Sequence, residues 1–282
     1  MQFILQGLAN TINPVAFHLF GWPVYWYGVI IGGAILLAIT LASREMRRKG
    51  FNDDFVLDLM IWAIPIGFLG ARLYYVIFEW PYYLAHPTEI FAIWQGGIAI
   101  YGGVIAGALT VYFYSKYRGF SPYFILDLAA PYLLLAQSIG RWGNFVNGEA
   151  HGGPVSESFL SHTLHLPQFI VDGMLIDGTY YHPTFLYESL WNVLGVILLL
   201  ILRRQQKTLK LGETTLLYLI WYAFGRFFIE GMRTDSLYLG PLRISQVLAL
   251  VIFILGIGLI IWLRHRPVKR PYYSEISHSE QK

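Results

Sequence analysis

The run Gly140-Arg141-Trp142-Gly143-Asn144-Phe145-Val146-Asn147-Gly148-Glu149 gathers a guanidinium, two carboxamides and a carboxylate in a chain that is otherwise strongly apolar. Arginine presents a rigid fork of donors that matches phosphate or carboxylate. The interleaved glycines are expected to let backbone N–H groups approach a ligand with no side chain between them. At a membrane surface, such a cluster suits a lipid headgroup. A second set lies further along, where Tyr222, Arg226 and Glu230 recur every fourth residue with Arg233 just beyond, so all four share one stripe of a helix. Arg226 and Glu230 can neutralise each other within that helix, but arginine before glutamate is the poorer order for such a pair. A functional stripe that approaches Arg141 is therefore favoured.

A third set opens with His182, Pro183 and Thr184 and continues through Tyr187 and Glu188 to Asn192, one turn beyond Glu188. Pro183 near a helix start is ordinary capping chemistry. Glu188, inside an apolar run, must find a donor or take a proton, and its expected role is structural, to orient an arginine or tyrosine. Arg72 shares a face with Tyr75 and Glu79, and there packing and function are equally good readings. His151, His162, His165 and His182 show no helical ligand spacing with a carboxylate, so no metal is expected. No serine occupies a recognisable nucleophile turn.

The elements that must hold these residues follow from composition. Of 282 residues, 56% are hydrophobic and only 13% charged, against about 25% charged in soluble domains. That balance indicates an all-α polytopic membrane protein. Apolar stretches of about 20 residues, the length of a membrane span, fall near 23–42, 55–78, 97–115, 123–140, 184–202, 214–232 and 244–263. Seven transmembrane helices are expected, making up a membrane domain over 23–263.

Every lysine follows the first, third, fifth or seventh of these spans: Lys49, Lys116, Lys207, Lys210, Lys269 and Lys282. The positive-inside rule puts those loops in the cytoplasm, the amino terminus outside and the carboxyl terminus inside. Arg72, Arg141, Arg226, Arg233 and Arg243 remain, and an arginine-only remainder points to ligand geometry rather than a solubilising surface. Residues 1–22 lack the basic start of a signal peptide and read as an extracytoplasmic interfacial arm anchored by Phe17, Phe20, Trp22 and Trp26. Residues 141–183 read as a small extracytoplasmic head between spans four and five, with a hairpin turn at Asp172-Gly173. Residues 264–282 read as a disordered cytoplasmic tail. Gly28, Gly32 and Gly33, and likewise Gly102, Gly103 and Gly107, read as close helix contacts. The chain has no cysteine, so any sulfur chemistry must come from a substrate.

Four separated motifs together resemble the bacterial prolipoprotein diacylglyceryl transferase family over most of the chain. The family signature is matched by Gly140, Arg141, Gly143, Asn144, Phe145, Asn147 and Glu149, with Gly152 continuing it. Its tyrosine–arginine–glutamate helix is matched by Tyr222, Arg226 and Glu230, its histidine–proline segment by His182, Pro183, Tyr187 and Glu188, and its amino-terminal motif by Trp26, Tyr27 and Gly28. The resemblance implies an enzyme of the bacterial cytoplasmic membrane that moves the diacylglyceryl group of phosphatidylglycerol to the lipobox cysteine of a prolipoprotein signal peptide and releases glycerol phosphate. It implies no cofactor, no metal and no nucleic-acid partner. Arg141, Arg226, Glu149 and Tyr101 are the expected catalytic residues. Asn144, Asn147, Gly152, Tyr27, Tyr222, Glu230 and His182 are expected to bind substrate. Many relatives carry histidine where this chain has Tyr101. A tyrosine of ordinary pKa about 10 is a poor base near neutrality, so either Tyr101 only hydrogen-bonds while the arginine field favours the thiolate, the preferred reading, or another group such as His151, His182 or Glu149 accepts the proton.

A lipid or anion transporter is the main rival class, since buried arginines also line substrate paths. It predicts polar groups through the whole depth of the bundle, whereas here they gather in one half. A lipid-binding receptor would keep Arg141 but have no use for the second arginine stripe.

Overall fold

A computed structural model describes residues 12–234, 236, 238–267 and 270–277. In chain order its helices are α1 (Trp26–Arg48), α2 (Asp54–Phe78), α3 (Trp80–Ala85), α4 (Ile100–Tyr117), α5 (Pro122–Asn147), α6 (Gln168–Gly173), α7 (Thr184–Arg204), α8 (Glu213–Met232) and α9 (Ile244–His265). Five of them, α1, α2, α5, α7 and α9, are long and apolar enough to cross a membrane. The other two expected spans are also helices in the expected places, but tyrosines and Lys116 dilute the apolar character of α4, and Arg226 and Glu230 that of α8. The chain is thus a mostly helical, multi-pass membrane protein. It divides into two compact units, one with the described residues up to Ala38 and Ala130–Glu275, the other with Ile39–Ala129 and the residues from Ile276 on.

In the first unit, α7 and α8 are locked together by a pair of indoles. Trp191 and Trp221 stack with ring centroids 4.2 Å apart. Each ring N–H donates to the other's carbonyl, at 3.0 and 2.9 Å, so neither donor is left to hydrocarbon. Gly195 and Gly225 make the room, since a Cβ at either would run into the opposite indole. This contact fixes the register of two antiparallel helices and brings Glu188 of α7 level with Arg226 of α8. A second lock joins α5 to α7: Ser138 Oγ donates to the Ser189 carbonyl at 2.9 Å, and Trp142 Nε1 donates to Ser189 Oγ at 3.2 Å.

Short strands join the helices. The arm expected over 1–22 is, in its described part, an antiparallel hairpin of β1 (Val15–Leu19) and β2 (Trp22–Tyr25), with Phe20 and Gly21 turning at positive φ. Phe20 and Trp22 stand exposed at its tip. Residues 1–11 of that arm lie outside the described residues. Between α5 and α7, β3 (Pro154–Val155), β4 (Leu175–Ile176) and β5 (Thr179–Tyr181) form a small sheet in the order β3-β5-β4. Beneath it Phe145, Leu160, Val171, Met174 and Phe185 make a core of their own. Another hairpin, β6 (Tyr238–Leu239) with β7 (Leu242–Arg243), links α8 to α9.

Two expectations are corrected here. Asp172-Gly173 does not turn a hairpin but ends α6. The turn is at the next Asp-Gly, where Asp177 and Gly178 take φ 49° and 79° between paired Ile176 and Thr179. Two left-handed residues suit the twist of flanking strands, and Gly173 is instead packed against the Phe145 ring. Nor is the tail beyond Arg264 wholly disordered. Tyr273 is fully buried, its N–H bonds to the Leu209 carbonyl at 2.9 Å, and its ring faces the guanidinium of buried Arg203 at 5.1 Å. Residues 268, 269 and 278–282 of that tail lie outside the described residues.

In the second unit, α2 and α4 pack through glycine. The added Cβ of Gly102 would strike the Gly70 carbonyl, and that of Gly70 would strike Ala106. The close-contact expectation therefore applies to Gly102 and Gly103, whereas Gly28, Gly32, Gly33 and Gly107 meet nothing nearby. Arg72 is settled as structural. It donates to the carbonyls of Glu89, Ile90, Gly96 and Gly97 at 2.6 to 2.9 Å, and so ties the loop after α3 to α2.

Candidate active site

The Arg141 run is not a loop. Residues up to Asn147 form the last turns of α5, and the chain reverses only at Gly148, with φ 64°. The expectation that its glycines bare the backbone to a ligand is overturned for Gly140 and Gly143, whose N–H groups lie within the helix. A Cβ on Gly143 would sit 2.8 Å from the Tyr27 ring, and one on Gly140 would sit 3.0 Å from Ile31. These glycines let α1 approach α5, with the Tyr27 ring against Gly143 and Ile31 against Gly140.

Glu188 is the hub of the site. One of its oxygens receives Arg141 Nη2 at 2.6 Å, and the other faces Arg226 Nη1 at 3.5 Å. Arg226 Nη2 in turn meets Glu230 at 2.6 Å. The two carboxylate side chains are only 4% and 3% exposed, while the arginines keep 20% and 17%. The acids are therefore sealed behind the guanidiniums, which face the remaining accessible space. The Tyr222 hydroxyl adjoins Arg141 as well. Of these three ion pairs the one between Arg226 and Glu188 is the longest.

Asn144 extends the network towards the polar loop. Its carbonyl oxygen accepts from Arg141 at 3.3 Å and its amide donates to Glu149 at 2.9 Å, with Asn147 at 3.4 Å from the same oxygen. Glu149 thus reaches Arg141 through Asn144. Gly152 has no space for a side chain, since a Cβ there would lie 2.6 Å from that of His182. His182 Nδ1 is 3.2 Å from the Tyr187 hydroxyl, and burial lowers its imidazole below the ordinary value. His151 bonds the Gly152 carbonyl at 3.0 Å and lies against Tyr181. The Glu230 carbonyl accepts from Arg243, a use of that arginine which the sequence reading left open. Tyr101 belongs to the other unit, at the start of α4, half exposed, with its ring 6.5 Å from Tyr74. Among the described residues no group of three His, Asp or Glu side chains has a metal-binding arrangement.

Sequence reasoning gave Glu188 a supporting part but not the central one. The signal was available, because a lone acid on an apolar helix needs cations, and Arg141 and Arg226 were the two at hand.

A family model described as prolipoprotein diacylglyceryl transferase matches residues 14–262. The chain is similar to proteins named phosphatidylglycerol–prolipoprotein diacylglyceryl transferase in several bacteria. It is 51% identical to that of Ligilactobacillus salivarius over 96% of this chain and 100% of the relative. It is 52% identical to that of Enterococcus faecalis, over 94% and 95%, and 53% identical to that of Bacillus velezensis, over 96% and 99%.

Proposed function

The chain belongs to the prolipoprotein diacylglyceryl transferase family, and on that premise we infer that the Arg141–Glu188–Arg226 constellation is where it works. It is a transferase that moves the diacylglyceryl group of phosphatidylglycerol to prolipoproteins. The observation that carries the site assignment is the sharing of one buried carboxylate by guanidiniums from α5 and α8.

In this reading the lipid phosphate lies against Arg141 and Arg226. The cysteine sulfur of the lipobox attacks the glyceryl carbon bonded to the phosphate oxygen. A C–S bond forms, the C–O bond breaks, and glycerol phosphate departs with one more negative charge than the diester carried. Fixed guanidiniums in a site shielded from water stabilise that added charge. Their field also favours the thiolate, which is the attacking form. Glu188 and Glu230 hold the arginines in place, and Glu149 steadies Asn144. Asn144, Asn147, Gly152, Tyr27, Tyr222 and His182 line the place of the headgroup.

The placement in the membrane belongs to the same proposal. All seven long helices span the bacterial cytoplasmic membrane, with the amino terminus outside, the residues between the end of α5 at Asn147 and the start of α7 forming an extracytoplasmic head, and the carboxyl terminus in the cytoplasm. The lysine pattern supports this orientation. It puts the arginines at the level of outer-leaflet phosphates. Purified protein mixed with phosphatidylglycerol and a lipobox peptide should add one diacylglyceryl mass to the peptide cysteine. Arg141→Ala should abolish that addition while leaving the protein folded, at a cost of about 2.7–4 kcal/mol of barrier for one lost donor. An unmodified peptide with the native protein, or an active Arg141→Ala, contradicts the reading.

A further inference from the structure

One helical turn from the arginine layer, away from the polar loop, lies a second layer of polar side chains on the same three helices. Gln137 is four residues from Arg141 on α5, Asn192 is four from Glu188 on α7, and Tyr218 is four from Tyr222 on α8. Four residues of helix advance about 6 Å, and in each case the step runs the same way through the bundle. Gln137 Nε2 lies 3.0 Å from the Tyr218 hydroxyl. Asn192 is completely buried, and neither end of its amide has a hydrogen-bond partner among the described residues. Gln137 Oε1 is equally unpartnered. Packing alone has no use for three such groups in an apolar interior, because each forgoes its bonds to water.

The groups are neutral, unlike those of the layer above, and they can donate. Asn192 offers its NH2. A phenol both donates and accepts, so the Gln137–Tyr218 pair can turn to present either the Tyr218 proton or the Gln137 NH2 to a third group. We propose that this layer binds the ester carbonyls of the diacylglyceryl group, with Asn192 as the principal donor. The proposal rests on the phosphate lying at Arg141 and Arg226. In a glycerophospholipid, the ester carbonyls follow the phosphate by a few bonds, at about the 6 Å that separates the two layers. Held at the phosphate and at the esters, the glyceryl carbon between them is fixed for attack. Asn192 and Tyr218 are then positioning residues, and the enzyme selects ester-linked over ether-linked lipid.

The test compares diester phosphatidylglycerol with its diether analogue of equal chain length, using the full-length protein, a lipobox peptide and kcat/KM for each lipid. The native protein should prefer the diester by about tenfold or more, as expected for loss of a hydrogen bond that leaves a buried donor unpaired. In Asn192→Leu, similar in volume, the diester-to-diether ratio should fall towards one. Tyr218→Phe, which removes a single oxygen, should lower it part of the way. Equal use of both lipids by the native protein, as expected of a layer filled only by water, overturns the proposal. So does an Asn192→Leu protein that slows on both lipids with the ratio intact, which marks a purely structural role. Transfer from neither lipid by the native protein overturns the assignment of function itself, and this inference falls with it.

Discussion

Glu188 holds two guanidiniums that would otherwise repel each other across a low-dielectric gap. Removing one partner of a buried ion pair costs about 3–5 kcal/mol, because the remaining charge is left uncompensated. Glu188→Gln keeps the shape but not the charge. It is expected to lower thermal stability by that order and to reduce kcat/KM on the order of a hundredfold or more, since Arg141 and Arg226 lose their fixed placement. Glu149→Gln is the contrasting case. That carboxylate is bonded to the neutral amides of Asn144 and Asn147 and is no part of the buried pairs, so its loss should leave the melting temperature close to native. Parallel melting curves and kinetics on the two variants check this, and an equal loss of stability in both would contradict the hub assignment. At this scale the sequence showed which residues carry charge but not how they share it. The pairing of Arg141 with Glu188 depends on α5 meeting α7 at Ser138, Trp142 and Ser189, a contact with no periodic signal.

Among the elements, helices were legible wherever apolar runs reached spanning length, and the termini of α2, α7 and α9 fall close to the expected limits. What was not legible was turn chemistry and the role of glycine. Asp172-Gly173 and Asp177-Gly178 have the same sequence, yet Gly173 packs against Phe145 at the end of α6 while Asp177 and Gly178 take the left-handed turn. The glycines of the Arg141 run carried a ligand-binding expectation, yet Gly143 makes room for Tyr27. Tyr273 looked like part of a polar tail because nothing local reveals the buried Arg203 that it covers. The Trp191–Trp221 lock gives this scale its prediction. Gly225→Leu drives a side chain into the Trp191 indole, and overpacking of this kind costs about 1–3 kcal/mol. It should lower the melting temperature and also slow transfer, because α8 moves against α7 and separates Arg226 from Glu188. Gly258→Ala, in open space on α9, should change neither. Unaltered transfer in a destabilised Gly225→Leu protein would show that the helix register does not set the site.

For the whole molecule, the question is which face of the membrane the arginines serve. The chain contains no cysteine, so single cysteines report orientation without background. A membrane-impermeant thiol reagent applied to intact cells should label Ser158→Cys in the α5–α7 segment. It should label Gln206→Cys, between α7 and α8, only after the membrane is opened. The reverse pattern would put the site on the wrong leaflet for an incoming secreted peptide. The most direct test of the central claim, that Arg141 and Arg226 act on one phosphate through one shared carboxylate, is a double-mutant cycle in diacylglyceryl transfer. The kcat/KM of Arg141→Gln, Arg226→Gln and the double variant should show each single change removing nearly all transfer, with the double variant little worse than either alone, as for groups that act as a unit. Losses that multiply independently, or near-native transfer by either single variant, would contradict it.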